Sequence, residues 1–528
     1  MSAMILKLKR GTGVDAFINK DIFYAEGKAV TLDRVLTNLF MKIYTGNQKY
    51  TPAHRGEYTI DELKGILNLL EEAGELKGAK ENPEAVEDWL RSSLLELVNR
   101  GNVVKEHIAT LKPLHLLSFR VQNAKFCKDY RASEQLYLML NSSPEVMNGL
   151  RKYLGKGYDK ETKSIVTGEK LDVDTTGLIH IANTQKQRKT ANTEIEKPTE
   201  PFLRKQTELF NDDIRRLLLY KDKLPRAVFI DYLRILCGFH LCLYIMKVIY
   251  LLPKMISAGT RDIEDDWSMV VDLTDNLDSV VAPYACRDVE RMENSFGQYI
   301  RSTYMADIVQ KRLKDRGANS SIDEVLRILK NDTNRSAEYF EIQLAQIRST
   351  LPEKDEKEFD REDFDEMLQY FPKDDFFGKL VHVLEKSNLG TYQYQYLKNF
   401  IDKVSMKNSP SMLLADSRSV RHPRRGVIGS KLLETMVQLL VLREKSNGQY
   451  ETHSLSIDEL AAGIRDRYGL IINGLNEPRF ADGDVAVNNA FHENMEALKN
   501  KLRQIGFYTD MSDACILQKI RPRYNLDN

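Results

Sequence analysis

The sequence predicts a mainly α-helical protein of more than one domain that ends in a winged-helix-like module. Apolar residues recur at three- and four-residue spacing through most of the chain. Capping signatures open several of those segments. Residues 411–528 then run helix, short strand, helix, loop, helix, hairpin, which is the order of a winged helix. With 528 residues, the chain exceeds one domain at roughly 100–200 residues each. The expected regions are an N-terminal helical domain (1–150), a small β/loop segment with a linker (151–206), a central helical domain (207–410), and a basic arm with the winged-helix-like domain (411–528).

Each element has its own justification. Leu32, Val35, Leu36, Leu39, Phe40 and Ile43 share a helical face, and Gly46 is a stop. Thr59 and Glu62 form a capping box ahead of a second helix. Pro83 and Gly101 frame a third, expected to run to Arg100. Residues 157–177 are rich in turn and β-branched residues, which suggests a small β excursion, and the polar stretch 182–201 has linker composition. Residues 353–375 hold 11 acidic and 4 basic residues, the composition of a solvated face or loop. A tyrosine-rich helical piece follows at 376–408.

The apolar run 225–253 is long enough to span a bilayer. Asp231, Arg234, His240 and Lys247 interrupt it, and a charge at the centre of a membrane helix costs about 2.5–3.5 kcal/mol. Its 3–4 periodicity predicts a buried core helix, with no membrane partner. The first ten residues contain no apolar stretch of signal-peptide length. Cys127, Cys237, Cys242, Cys286 and Cys515 are scattered without metal or redox spacing and read as reduced thiols. A cytoplasmic protein is expected.

In the C-terminal region Ser430 is a plausible N-cap for an amphipathic helix. Ser456 and Glu459 form a second capping box. A third helix ends at Gly506, and a hairpin is expected around Ser512 and Asp513.

Catalytic signatures are sparse. The chain has no P-loop, no H-E-x-x-H and no G-x-S-x-G, and Gly11 and Gly13 are a lone glycine pair. Asp262, Glu264, Asp265, Asp266, Asp272, Asp275 and Asp278 form a dense acidic segment. Hard cations favour such oxygen ligands. The simpler reading is a solvated face, with Asp272, Asp275 and Asp278 making one stripe if the segment is helical. No catalytic residue, metal site or cofactor is expected.

Lys+Arg and Asp+Glu are equal at 77 each, so only local patches can argue for a polyanionic partner. Arg418, Arg421, Arg424 and Arg425 cluster in a flexible-looking arm, and Lys499, Lys501, Arg503, Lys519, Arg521 and Arg523 lie on the third helix and wing. Such cations can neutralise DNA phosphates and release counterions, and arginines of an arm can enter the minor groove. Winged helices also dock proteins, so both readings stay open.

At "LPRAVFIDYLRILCGFHLCLYIMKVIYLLP" and "DSRSVRHPRRGVIGSKLLETMVQLLVL" the chain resembles accessory subunits of bacterial antiphage systems linked to DNA modification. These are the methylation-associated defence and phosphorothioation-dependent restriction types. The resemblance covers roughly the second half of the chain and rests on architecture. It implies a non-motor component that docks on an ATPase and touches double-stranded DNA, and it carries over no active-site residues. The resulting expectation is a non-catalytic, DNA-contacting component of a defence or restriction complex, working with an ATPase or nuclease partner. The alternatives are a divergent metal-dependent nuclease using the 262–278 carboxylates and a pure protein scaffold.

Overall fold

A computed structural model describes residues 5–8, 19–26, 28–48, 56–99, 106–166, 168–185, 200–331, 333–354, 358–406, 408–481, 483, 485–508, 519–520 and 522–526. Helices dominate, as predicted, and the strands form two-stranded pairs.

The helix Arg226–Ala258 is the spine. Its sequence is apolar on every face, so it is stable only when enclosed. Helices Leu32–Thr45, Arg204–Leu219, Phe296–Asp315, Ile322–Asn331, Asn388–Ser405 and Ser430–Leu440 pack around it. It is long and apolar enough to cross a membrane, yet 94% of its most apolar window is buried inside the protein, as a core helix requires. Its charges are matched: Arg234 reaches Asp33, and Lys247 donates to Asp265 at 2.6 Å. Gly259 ends it at φ +74°, a left-handed conformation that favours glycine.

One apolar core extends from Leu6 through the spine to Ile520. A second lies in the N-terminal region among Leu63, Leu67, Leu90, Ile108 and Leu178. A third, small one joins Val270, Val281, Ala285, Ile471, Ala490 and Phe491. It fastens the C-terminal helix Val485–Gln504 to the strands Met269–Val270 and Leu470–Ile471, which pair in parallel.

The capping boxes at Thr59 and Ser456 are both closed, side chain to backbone in each direction. The first helix ends at Gly46, whose φ is +69°. The β excursion is a short hairpin, Tyr158–Asp159 against Ser164–Ile165. Three expectations need correction. The helix begun at Pro83 stops at Trp89, and after a π turn Leu95–Asn99 is a strand paired antiparallel with Glu106–Leu111. Cross-strand pairing overrides the helical periodicity there. Helix Ser430–Leu440 is capped from Gly429, not Ser430. Asp272, Asp275 and Asp278 are on no helix: they follow strand Met269–Val270 in a loop leading to helix Ala282–Asn294.

The C-terminal helices Ser430–Leu440, Ile457–Tyr468 and Val485–Gln504 occur in the expected order. The expected wing around Ser512 and Asp513 lies outside the described residues, as does Arg521. Ile520 does form an antiparallel bridge with Leu455. The strand after the second of these helices pairs with Met269–Val270 of the central region. The described residues therefore establish the helices of the module without establishing a winged helix.

Candidate nucleic-acid interface

The basic segment is a braced hairpin and not a free arm. Leu414–Ala415 pairs antiparallel with Arg425–Gly426. Gly426 lies so close to the neighbouring strand that a Cβ there would sit 2.6 Å from the carbonyl oxygen of Val270. The Asp272 amide donates to the Gly426 carbonyl at 2.8 Å, which ties the hairpin base to the acidic loop. At the other end the Arg418 amide donates to His422 O at 3.0 Å, and the His422 amide donates to Ser419 O at 3.1 Å. This closed turn projects Arg418, Val420 and Arg421. Val420 is as exposed as in an extended chain, at 103%, and the Arg421 side chain is 79% exposed.

The two arginines at the base face inward. Arg425 is buried, with its Nε 2.9 Å from Oδ2 of the fully buried Asp272. That nitrogen is off the hydrogen-bond line, so the contact is mainly Coulombic. Asp272 also accepts from the Thr274 amide (2.8 Å), Thr274 Oγ1 (2.7 Å) and Ser279 Oγ (3.2 Å). Burial holds its carboxyl above the ordinary aspartate value, although Thr274 and Arg425 pull it down. Arg424 forks between Glu293 and Asp402. Freeing either arginine for a phosphate would strand a carboxylate that is buried or half-buried, at a cost of several kcal/mol for a buried pair.

The acidic loop also reaches the C-terminal helix. Asp275 meets Lys501 at 3.2 Å, and Asp278 meets Arg421 at 3.0 Å and His422 Nε2 at 3.1 Å. The Val280 amide donates to Glu493 at 3.3 Å. Asn494, fully buried, accepts from the Leu273 amide and donates to Val271 O and Ile472 O, each at 2.8 Å. The structure thus gathers Arg421, Arg425 and Lys501 around one loop, while Arg424 turns to Glu293 and Asp402. The other expected cations sit elsewhere. Lys499 is 3.8 Å from Glu496, and Arg503 donates to Asn500 and covers the Tyr508 ring. Arg523 is held by Glu434 and the Ile505 carbonyl, and Lys519 is exposed. Sequence reasoning missed His422 and Val420, and nothing local signals that the acidic and basic segments are partners.

Two more carboxylates of the acidic segment are engaged, Asp265 with Lys247 and Asp266 with Lys254 at 2.7 Å, while Asp262 and Glu264 are exposed. Among the described residues no group of three or more His, Cys, Asp or Glu could hold a metal ion. Cys127, Cys237 and Cys242 are buried free thiols, and burial pushes Cys242 up to about 12. One polar network resembles acid–base machinery. His240 Nε2 donates to Asp213 at 2.8 Å, Tyr468 donates to the same carboxylate at 3.0 Å, and Arg467 donates to its other oxygen at 2.9 Å. His240 and Asp213 are wholly enclosed, so the network joins three helices and meets no substrate space. A cleft of about 710 Å³ is lined by Asn19, Asp21, Arg261, Gln310 and Asp323 among others. Much of that lining is bonded to itself, Gln310 to Asn19 and Ser320, and Arg261 to Asp323.

A family profile for methylation-associated defense system protein MAD7 matches residues 13–524. The chain belongs to that family. Of the two kinds of system suggested by residues 224–253 and 416–442, the match selects the methylation-associated one, and it extends over nearly the whole chain. The same comparisons find no match among curated proteins or solved structures.

Proposed function

We propose that this family member is a non-catalytic component of its defence system that contacts duplex DNA through the tip of hairpin 414–426. It would work in the cytoplasm beside an ATPase or nuclease partner. The observation that carries the reading is the division of labour among four arginines. Arg424 and Arg425 anchor the hairpin base in ion pairs, while Arg418 and Arg421 project from a closed tip on either side of the exposed Val420. A pre-ordered loop presenting two guanidiniums loses little entropy when it meets a phosphate backbone. Its narrow apolar point suits a minor groove. The engagement of Asp265, Asp266, Asp272, Asp275 and Asp278 by lysines, arginines and hydroxyls supports a non-catalytic role over a metal-dependent nuclease.

A salt series on duplex DNA tests the reading. Arg418→Ala with Arg421→Ala removes two phosphate contacts and should flatten log K against log salt by about 1.8, at about 0.9 per contact. An unchanged slope would contradict the tip contact. A second reading, a scaffold that docks only proteins, draws on the internal neutralisation of Arg421, Arg424, Arg425 and Lys501. It requires that no DNA complex forms even at low salt.

A further inference from the structure

We infer that loop 272–280 is an intramolecular stand-in for a phosphate strand, which holds Arg421 and Lys501 until duplex DNA displaces it. The inference rests on the DNA-contacting reading and adds its regulation: the surface that would receive DNA is composite, made of the hairpin tip and the C-terminal helix, and this loop keeps it closed.

The three aspartates of the loop each take a different cation. Asp272 takes Arg425 from the hairpin base, Asp275 takes Lys501 from the C-terminal helix, and Asp278 takes Arg421 with His422 from the tip. Their exposures divide them into two kinds. Asp272 is fully buried, which makes it a structural anchor. The Asp275 and Asp278 side chains are 82% and 58% exposed. Arg421 is 79% exposed and Lys501 15%, so the Arg421 pair is the weaker and exchanges readily with another anion. The loop is nonetheless held in place at both ends, by Asp272 N on Gly426 O, Leu273 N on Asn494 and Val280 N on Glu493. Its carboxylates therefore compete at the high effective concentration of a tethered ligand.

The spacing also fits. Asp278 lies three positions after Asp275, a Cα separation of at most about 10 Å. One DNA strand carries a charge about every 3.4 Å along the helix axis, so a comparable length holds about three phosphates. A strand that replaced the loop could therefore engage both Arg421 and Lys501. Other charges around this surface are Asp416, Arg418, Glu493 and Glu496, the last near Lys499. The acids among them add to the barrier that a phosphate must overcome.

The test is the variant Asp275→Asn with Asp278→Asn in the full chain. Both positions are exposed and asparagine keeps the shape, so the fold should persist, and circular dichroism checks it. Binding to a fluorescein-labelled duplex is measured by anisotropy from low to physiological salt. Release of two cations should tighten binding at low salt by about two- to thirty-fold, the combined worth of two ion pairs whose carboxylates are exposed. It should also steepen the salt slope by about 0.9, as Lys501 adds one phosphate contact to those that Arg418 and Arg421 already make. Adding Lys501→Ala to the variant should remove the steepening. Binding that appears only in the asparagine variant supports the inference equally. If wild type binds with an Arg418- and Arg421-dependent slope but the variant is neither tighter nor steeper, the stand-in role is overturned and the DNA contact survives. If neither protein binds at the lowest salt, both fall.

Discussion

Arg425→Ala separates an anchor from a DNA contact. Arg425 is buried beside the fully buried Asp272, 2.9 Å away. Truncating it leaves a carboxylate without its cation, and breaking a buried pair in this way costs about 3–5 kcal/mol. Three donors remain on Asp272, from Thr274 twice and Ser279, so the lower end, about 3 kcal/mol, is expected. The loss should depend on pH. Burial already holds the Asp272 carboxyl above its ordinary value, and removing the guanidinium raises it further. A carboxyl whose folded pKa is raised binds its proton more tightly in the folded state. Its contribution is therefore most favourable below the unfolded value of about 4 and is lost as pH rises through the folded value. The deficit of Arg425→Ala relative to wild type should be largest at neutral pH and shrink on acidification. Urea denaturation can be followed by tryptophan fluorescence in a Trp89→Phe background. Of the two tryptophans this leaves Trp267, which precedes the strand leading to Asp272. Adding Asp272→Asn should recover most of the loss, since it removes the stranded charge. A loss below about 1 kcal/mol, or one that is the same at every pH, would refute the buried-pair argument. Weakened DNA binding at unchanged stability would make Arg425 a phosphate contact.

Two further outcomes follow from the structure. Asp213→Asn should cost about 3–5 kcal/mol in the same urea experiment, because Arg467 loses its enclosed partner. Burial alone would raise the Asp213 carboxyl, but His240 and Arg467 outweigh it and hold it below the ordinary range; its stabilisation is therefore present at neutral pH and lost as pH falls below about 4. Ser456→Ala opens the capping box of helix Ile457–Tyr468 and should cost about 1 kcal/mol, with DNA affinity unchanged; a neutral result would mean that the cap is redundant.

Much of the architecture was legible because it is local. Capping at Thr59 and Ser456, the stop at Gly46 and the periodicity of the spine are settled within a few residues of chain. The strand Leu95–Asn99 was not legible, since "LLELVN" suits a helix face as well as a strand and its partner Glu106–Leu111 decides the matter. The candidate site was half legible. The basic composition of 418–425 and the acidic composition of 272–278 are plain in the sequence. That they meet is not, because His422 lies 144 residues from Asp278 and Lys501 lies 226 from Asp275. The same long-range packing turns Arg424 and Arg425 inward and leaves Arg418 and Arg421 outside, which composition alone treats as one cluster.

Photo-crosslinking from the hairpin tip shows whether the tip lies on DNA. A benzophenone amino acid would replace the fully exposed Val420, with the 63% exposed Leu69 on the helix Ile60–Glu72 as the control position. After irradiation with a labelled duplex, a covalent DNA adduct is expected from position 420, diminished by added salt and by Arg418→Ala with Arg421→Ala, and little from position 69. A duplex that binds the protein yet crosslinks equally, or not at all, from position 420 would contradict the tip contact and place the DNA on another surface.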